Sequence, residues 1–96
     1  MIAKIHQIDQ RKILAVCDKE HIGKTFESGK ITFTASAKFY GGKEISAEEF
    51  EEMLKEADSA NLFGNKCVEI AQKKGLITES GVILISGIKH SQIYQM

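Results

Sequence analysis

Ninety-six residues, 43% apolar and 27% charged, are enough for one hydrophobic core and exclude a second independent domain, a disordered chain and a collagen-like repeat. Thirteen basic residues balance thirteen acidic ones, so net charge favours neither nucleic acid nor membrane. The N-terminus lacks the apolar run of a secretory signal, and the longest apolar stretches, Ile13 to Cys17 and Val82 to Ile85, fall far short of the roughly 18 residues that span a bilayer. A single cytoplasmic domain over residues 1–96 is the expectation.

Along the chain, Ile2 to Ile8 reads as a strand, and Asp9, Gln10 and Arg11 turn it into the apolar run Ile13 to Cys17, a strand covered on both faces. His21 to Phe26 and Ile31 to Ala35 flank the polar loop Glu27-Ser28-Gly29-Lys30, which reads as a bulged hairpin turn. Ile31, Phe33 and Ala35 alternate with Thr32, Thr34 and Ser36, the pattern of a strand with one dry and one wet face. These four segments predict an N-terminal four-stranded meander.

Ser46 and Glu49 have capping-box spacing, and Phe50, Met53, Leu54 and Ala57 fall on one helical stripe, so a helix is predicted over Ala47 to Ala57. A second helix follows, starting near Leu62 or Gly64 and ending at Lys74, with Phe63, Cys67, Ile70 and Ala71 inward and Gly75 as its C-cap. Val82 to Ile85 reads as a central strand and Ile88 to Tyr94 as an edge segment. The predicted fold is therefore α+β: a mostly antiparallel sheet, made of the meander and the C-terminal strand, with two consecutive helices packed on it.

Charge is partitioned along the chain. Residues 1–43 carry eight basic and four acidic groups, whereas residues 44–58 carry seven acids and one lysine. An acidic helix beside a mildly basic meander is often only solvated surface. As a binding surface, the basic part would suit phosphate, and twelve lysines against the single Arg11 argue against sequence-specific DNA readout.

Metal chemistry is poorly supported, because Cys17 and His21 form the one close pair among Cys17, His21, Cys67 and His90, and no C-x-x-C occurs. Cys17 has no basic sequence neighbour to activate it, and the two cysteines read as buried reduced thiols. Gly41-Gly42 lacks the spacing of a nucleotide loop. Two stretches stand out. Phe39-Tyr40-Gly41-Gly42-Lys43 offers a stacking surface and close backbone approach, or else an ordinary turn with core aromatics. Gly87-Ile88-Lys89-His90-Ser91-Gln92 places His90 and Gln92 on one face of an extended segment, as a ligand-facing edge or an exposed tail.

Ala15-Val16-Cys17-Asp18 with Gly23-Lys24-Thr25-Phe26, then Phe39-Tyr40-Gly41-Gly42, then Ala57-Asp58-Ser59-Ala60-Asn61-Leu62 with Gly64, and finally Gly87-Ile88 with His90 and Gln92 together resemble the small archaeal family known as domain of unknown function 424. The resemblance spans nearly the whole chain in order. It implies a stand-alone cytoplasmic archaeal domain with an RNA-associated or translation-linked role, and it supplies no catalytic residues. Its recurring polar and glycine positions match Asp18, Gly23, Lys24, Tyr40, Gly41, Gly42, Asp58, Asn61, Gly64, His90 and Gln92.

The reading that results is a binding domain rather than an enzyme, with no metal or cofactor. Its expected ligand residues are Lys24, Tyr40, Gly41, Gly42, Lys43, Asp58, Asn61, Gly64, His90 and Gln92. RNA, bound without sequence preference, would meet Lys24, Lys38, Lys43 and Lys89 at its phosphates and Tyr40 at a base. Two other classes compete. The acidic helix 47–57, through Glu48, Glu52 and Glu56, would dock a basic protein or a second copy in a weak homodimer. A small enzyme would use His90 as general base, oriented by Asp58 or Asp18.

Overall fold

The computed structural model describes residues 1–77 and 81–94. Strands β1 (Ile2–Ile8) and β2 (Arg11–Cys17) form a hairpin, followed by a 3-10 turn, Lys19–His21. The short strands β3 (Thr25–Ser28) and β4 (Ile31–Thr34), helix α1 (Ala37–Tyr40) and strand β5 (Lys43–Glu44) lead to helix α2 (Ala47–Glu56). Strand β6 (Ser59–Phe63), helix α3 (Asn65–Lys73) and strands β7 (Val82–Ile85) and β8 (Ile88–Tyr94) complete the described chain.

The main sheet has six strands in the order β5-β1-β2-β6-β8-β7, and β3 with β4 forms a separate two-stranded ribbon. β2 and β6 run parallel, and every other pair is antiparallel. The apolar run in β2 is buried on both faces, because its alternate residues meet different cores. Leu14 and Val16 join Phe50, Leu54, Leu62, Cys67 and Val68 under the helices. Ala15 and Cys17 join Ala35, Tyr40, Phe63 and Ile85 on the opposite face, under the ribbon and α1.

The α+β class and the mostly antiparallel sheet stand, with one parallel pair, β2 with β6, that makes the sheet mixed, and with three helices rather than two among the described residues. The meander stops after two strands. Lys19–His21 take a 3-10 turn and Gly23 a φ of +80°, so the third strand starts at Thr25 and leaves the sheet plane. Glu27 and Ser28 belong to β3, which reduces the turn to Gly29 and Lys30. The ribbon then lies on the sheet, with Phe26 and Phe33 packed inward.

The second departure is β6. Phe63, Cys67 and Ile70 fit a helical stripe, yet Ala60 and Leu62 alternate with Asn61 and Phe63 between two cores, and pairing with β2 and β8 fixes the segment as a strand. The following helix therefore starts at Asn65 and ends at Lys73. At the C-terminus the two strands exchange places: Ile88–Tyr94 lies inside the sheet between β6 and β7, and Val82–Ile85 is the edge. α2 matches its prediction, with the Ser46–Glu49 capping box closed in both directions. α1 is a one-turn helix whose N-cap Ser36 accepts the amides of Lys38 and Phe39.

Candidate functional site

The face opposite the helices is only half covered. The register places Cys17, Phe63 and His90 in one row across β2, β6 and β8, then Ala15, Asn61 and Gln92, then Ile13, Ser59 and Tyr94. The ribbon covers the first row: Phe33 lies 4.5 Å from Phe63 and 5.6 Å from His90, and Phe26 lies 5.3 Å from Phe63. α1 covers the flank, where Phe39 stacks on His6 at 4.6 Å with 13° between planes and its carbonyl meets the His6 ring nitrogen at 2.7 Å. Asn61, Ser59, Gln92 and Tyr94 remain outside both covers, at the far end of the strands.

On this bare half, the Gln92 amide nitrogen donates to the Asn61 carbonyl oxygen at 2.9 Å, and the Tyr94 hydroxyl lies 3.4 Å from Gln92 Oε1. Tyr94 is 76% exposed. A shallow recess of about 220 Å³ runs beside it, lined by Gly81, Ile83, His90, Ser91, Gln92 and Tyr94. Two amides and a phenol on a rigid three-strand surface supply hydrogen-bond groups of both kinds and one open aromatic face. Arg11 lies on the same face, opposite Ile8 at the end of the β1–β2 hairpin, and Lys38 is exposed on α1, which packs against His6.

Of the residues expected from sequence, Asn61, His90 and Gln92 are thus brought together. His90 is half-buried against the packed Phe33–Phe63 pair, and burial pushes its pKa below the ordinary histidine value. Tyr40 is buried, and its burial beside Cys17 and Cys67 pushes its hydroxyl pKa up, so its ring offers no face to a base. The exposed aromatic is Tyr94, which the sequence reading passed over because a tyrosine near a chain end carries no distinguishing pattern.

Several motif residues are explained by packing. A Cβ on Gly41 would sit 2.2 Å from the Ala37 carbonyl oxygen, and one on Gly42 would sit 2.1 Å from that of Ala3, so both glycines permit close backbone approach, and the Gly41 amide is spent on the Ala37 carbonyl. Asp18 is buried and accepts the Lys66 and Cys67 amides at 2.9 and 3.0 Å, capping α3 from outside the helix. Gly64, at φ +131°, passes so close that a Cβ there would lie 2.3 Å from the Asp18 carboxyl carbon. Asp58 accepts the Lys12 amide at 2.7 Å and donates its own amide to the Lys12 carbonyl at 2.9 Å, tying β6 to β2 at the end opposite His90. Neither aspartate is therefore placed to orient His90.

Lys24 lies exposed at the root of the ribbon, away from the bare half. Lys43 pairs with Glu49 at 3.7 Å, and Lys89 points to the helix side, 3.4 Å from Gln72 and 4.0 Å from Glu69. On the acidic helix, Glu51 and Glu52 also hold lysines of this chain, Lys74 at 2.8 Å and Lys55 at 3.7 Å. Both cysteines are free and buried, and burial, with Asp18 nearby, pushes the Cys17 thiol up to about 12 and raises Cys67 as well. Among the described residues, Asp18, Glu20 and His21 bring ligand-type atoms within 4.8 Å of one another, but both Asp18 oxygens already serve α3. No helix among the described residues is long and apolar enough to cross a membrane.

Comparison with protein-family models finds a match over residues 6–96 to the family described as protein of unknown function (DUF424). Comparison with curated proteins finds no match. Among solved structures, the chain is similar to an uncharacterized conserved protein from Methanopyrus kandleri, at a TM-score of 0.83 and 24% identity over 99% of this chain and 90% of that one. That likeness bears on the fold alone.

Proposed function

This chain belongs to the DUF424 family, and from that premise we propose that it is a non-catalytic domain that holds single-stranded RNA on the bare half of its six-stranded sheet. The observation that supports this reading is the juxtaposition of exposed Tyr94 with the Asn61–Gln92 amide pair on adjacent strands. A base stacks on an aromatic ring without regard to identity, while neighbouring amides bond its edge. Arg11 and Lys38 at the rim supply phosphate contacts. His90 lines the inner wall of the recess, where its neutral ring packs rather than ionises.

Fluorescence anisotropy with a short single-stranded RNA at low salt tests this function. Wild-type protein binds, and Tyr94→Ala weakens binding by about 1 to 3 kcal/mol through lost stacking. Tyr40→Phe, which removes only a buried hydroxyl, leaves affinity unchanged. The reading fails if wild type does not bind at low salt, or if Tyr94→Ala binds as well as wild type.

A further inference from the structure

The two edges of the main sheet differ in kind. At one edge, β5 is two residues long and both, Lys43 and Glu44, are charged. Short, charged edges resist pairing with other chains. At the other edge, β7 reads Val82-Ile83-Leu84-Ile85, with no charge and no proline. Ile83 is 58% exposed and Leu84 62%. Successive side chains point to opposite faces, so the middle of the strand is bare on both sides, while Val82 packs against the helix-side core and Ile85 is buried under the ribbon.

The ribbon reaches only the C-terminal end of β7: Phe26 packs in the cluster that holds Ile85, and the Ser86 hydroxyl donates to the Glu27 carbonyl. Within the sheet β7 pairs with β8 alone. In an antiparallel ladder alternate residues direct their N–H and C=O groups to one neighbour, which leaves the other alternate set of β7 facing outward. An occupant of this edge must therefore be an extended segment, and its side chains must be apolar and uncharged to sit beside Ile83 and Leu84.

We propose that β7 pairs antiparallel with β7 of a second copy of this chain, about a two-fold axis normal to the sheet. Centred on Leu84, self-pairing sets Leu84 opposite Leu84 and Ile83 opposite Ile85 and brings no like charges together, whereas the same operation at the β5 edge sets lysine opposite lysine or glutamate opposite glutamate. The contact is isologous and closes at two copies. A two-fold normal to the sheet joins two six-stranded sheets and leaves both bare halves on the same side. One short strand pair buries less than the roughly 800 Å² per partner of a standard interface, so the dimer is weak, in the micromolar range or above. The inference does not rest on the RNA reading.

Sedimentation velocity on the full chain without RNA, from micromolar to millimolar concentration, tests the pairing. Wild type is expected to pass from monomer to dimer across that range. Leu84→Lys and, separately, Ile83→Lys are expected to raise the dissociation constant by about tenfold or more while far-UV circular dichroism stays unchanged. Amide exchange in β7 of the wild type should slow as concentration rises, a readout that needs no substitution. A chain that is monomeric at every concentration would overturn the proposal and leave the edge to an extended segment of another protein. A dimer that persists unweakened in both lysine variants, with β7 exchange independent of concentration, would overturn it equally.

Discussion

The Asp18 carboxylate stops one strand and starts one helix. Its backbone amide bonds the Phe63 carbonyl at the end of β6, and its side chain takes the first free amides of α3, whose own N-cap, Gly64, has no side chain to offer. A carboxylate at a helix N-terminus also opposes the positive end of the dipole. Asp18→Ala should cost about 2 to 4 kcal/mol, since it leaves one buried and one part-buried donor unmet and removes charge-assisted bonds. Gly64→Ala should cost a comparable amount by pressing a methyl into the same carboxylate and straining a positive φ. Chemical denaturation checks both, and wild-type stability in either variant would remove Asp18 as the cap. Both residues were visible in the sequence as motif positions. Their partnership was not, because 46 residues separate positions the fold brings into contact and no local pattern records that.

His90 behaves differently under acid. Its pKa is depressed by burial, so the folded protein binds its proton less readily than the unfolded chain. The stability this contributes is full above the unfolded value of about 6.5 and is lost as pH falls from there through the folded pKa. Thermal melts should show a decline below about pH 6.5 that is shallower in His90→Phe, which cannot titrate. An identical decline in both proteins would exclude His90 as its source. His90→Ala should also lower stability, since the ring packs against Phe33 and Phe63 from a strand inside the sheet. The expectation of a free C-terminal histidine came from placing β8 at the edge.

Among the elements, α2 was the most legible because its signals are local. The Ser46–Glu49 box, three residues apart, and the Phe50, Met53 and Leu54 stripe all act within one helix. Phe50 and Leu54 are indeed buried, and Glu52 is exposed. Leu54→Ala should therefore cost about 2 to 5 kcal/mol, and Glu52→Ala should stay within about 0.5 kcal/mol. Equal denaturation midpoints would show that the stripe does not face the core. β6 was illegible for the opposite reason. Five residues with asparagine at the centre carry little strand preference, and their identity is fixed by parallel pairing with β2 across a long crossover. The ribbon is an intermediate case: its alternation was read correctly, but Gly23 and the 3-10 turn before it, which lift it out of the sheet plane, act through geometry that alternation does not encode.

At the scale of the whole molecule, the partition of charge along the chain does not become a partition between faces available to a ligand. Lys43, Lys55, Lys74 and Lys89 are engaged by glutamates around α2 and α3, and Lys4 donates to the Lys38 carbonyl. Arg11 on the bare face and exposed Lys38 on α1 are the basic side chains that this reading assigns to phosphate. If two contacts carry the electrostatic part of RNA affinity, log K should fall with log salt at a slope near −1.4, from roughly 0.7 per contact on single strands. Arg11→Ala and Lys38→Ala should each flatten that slope by about 0.7, and Lys43→Ala should leave it unchanged because that lysine faces Glu49. Tyr94→Ala should lower affinity at every salt concentration without altering the slope, because stacking releases no counterions. Titrations of the four variants against one RNA therefore separate charge from stacking. A slope that flattens on loss of Lys43 but not of Arg11 would move the RNA off this face and onto the helix side, where the acids would oppose it.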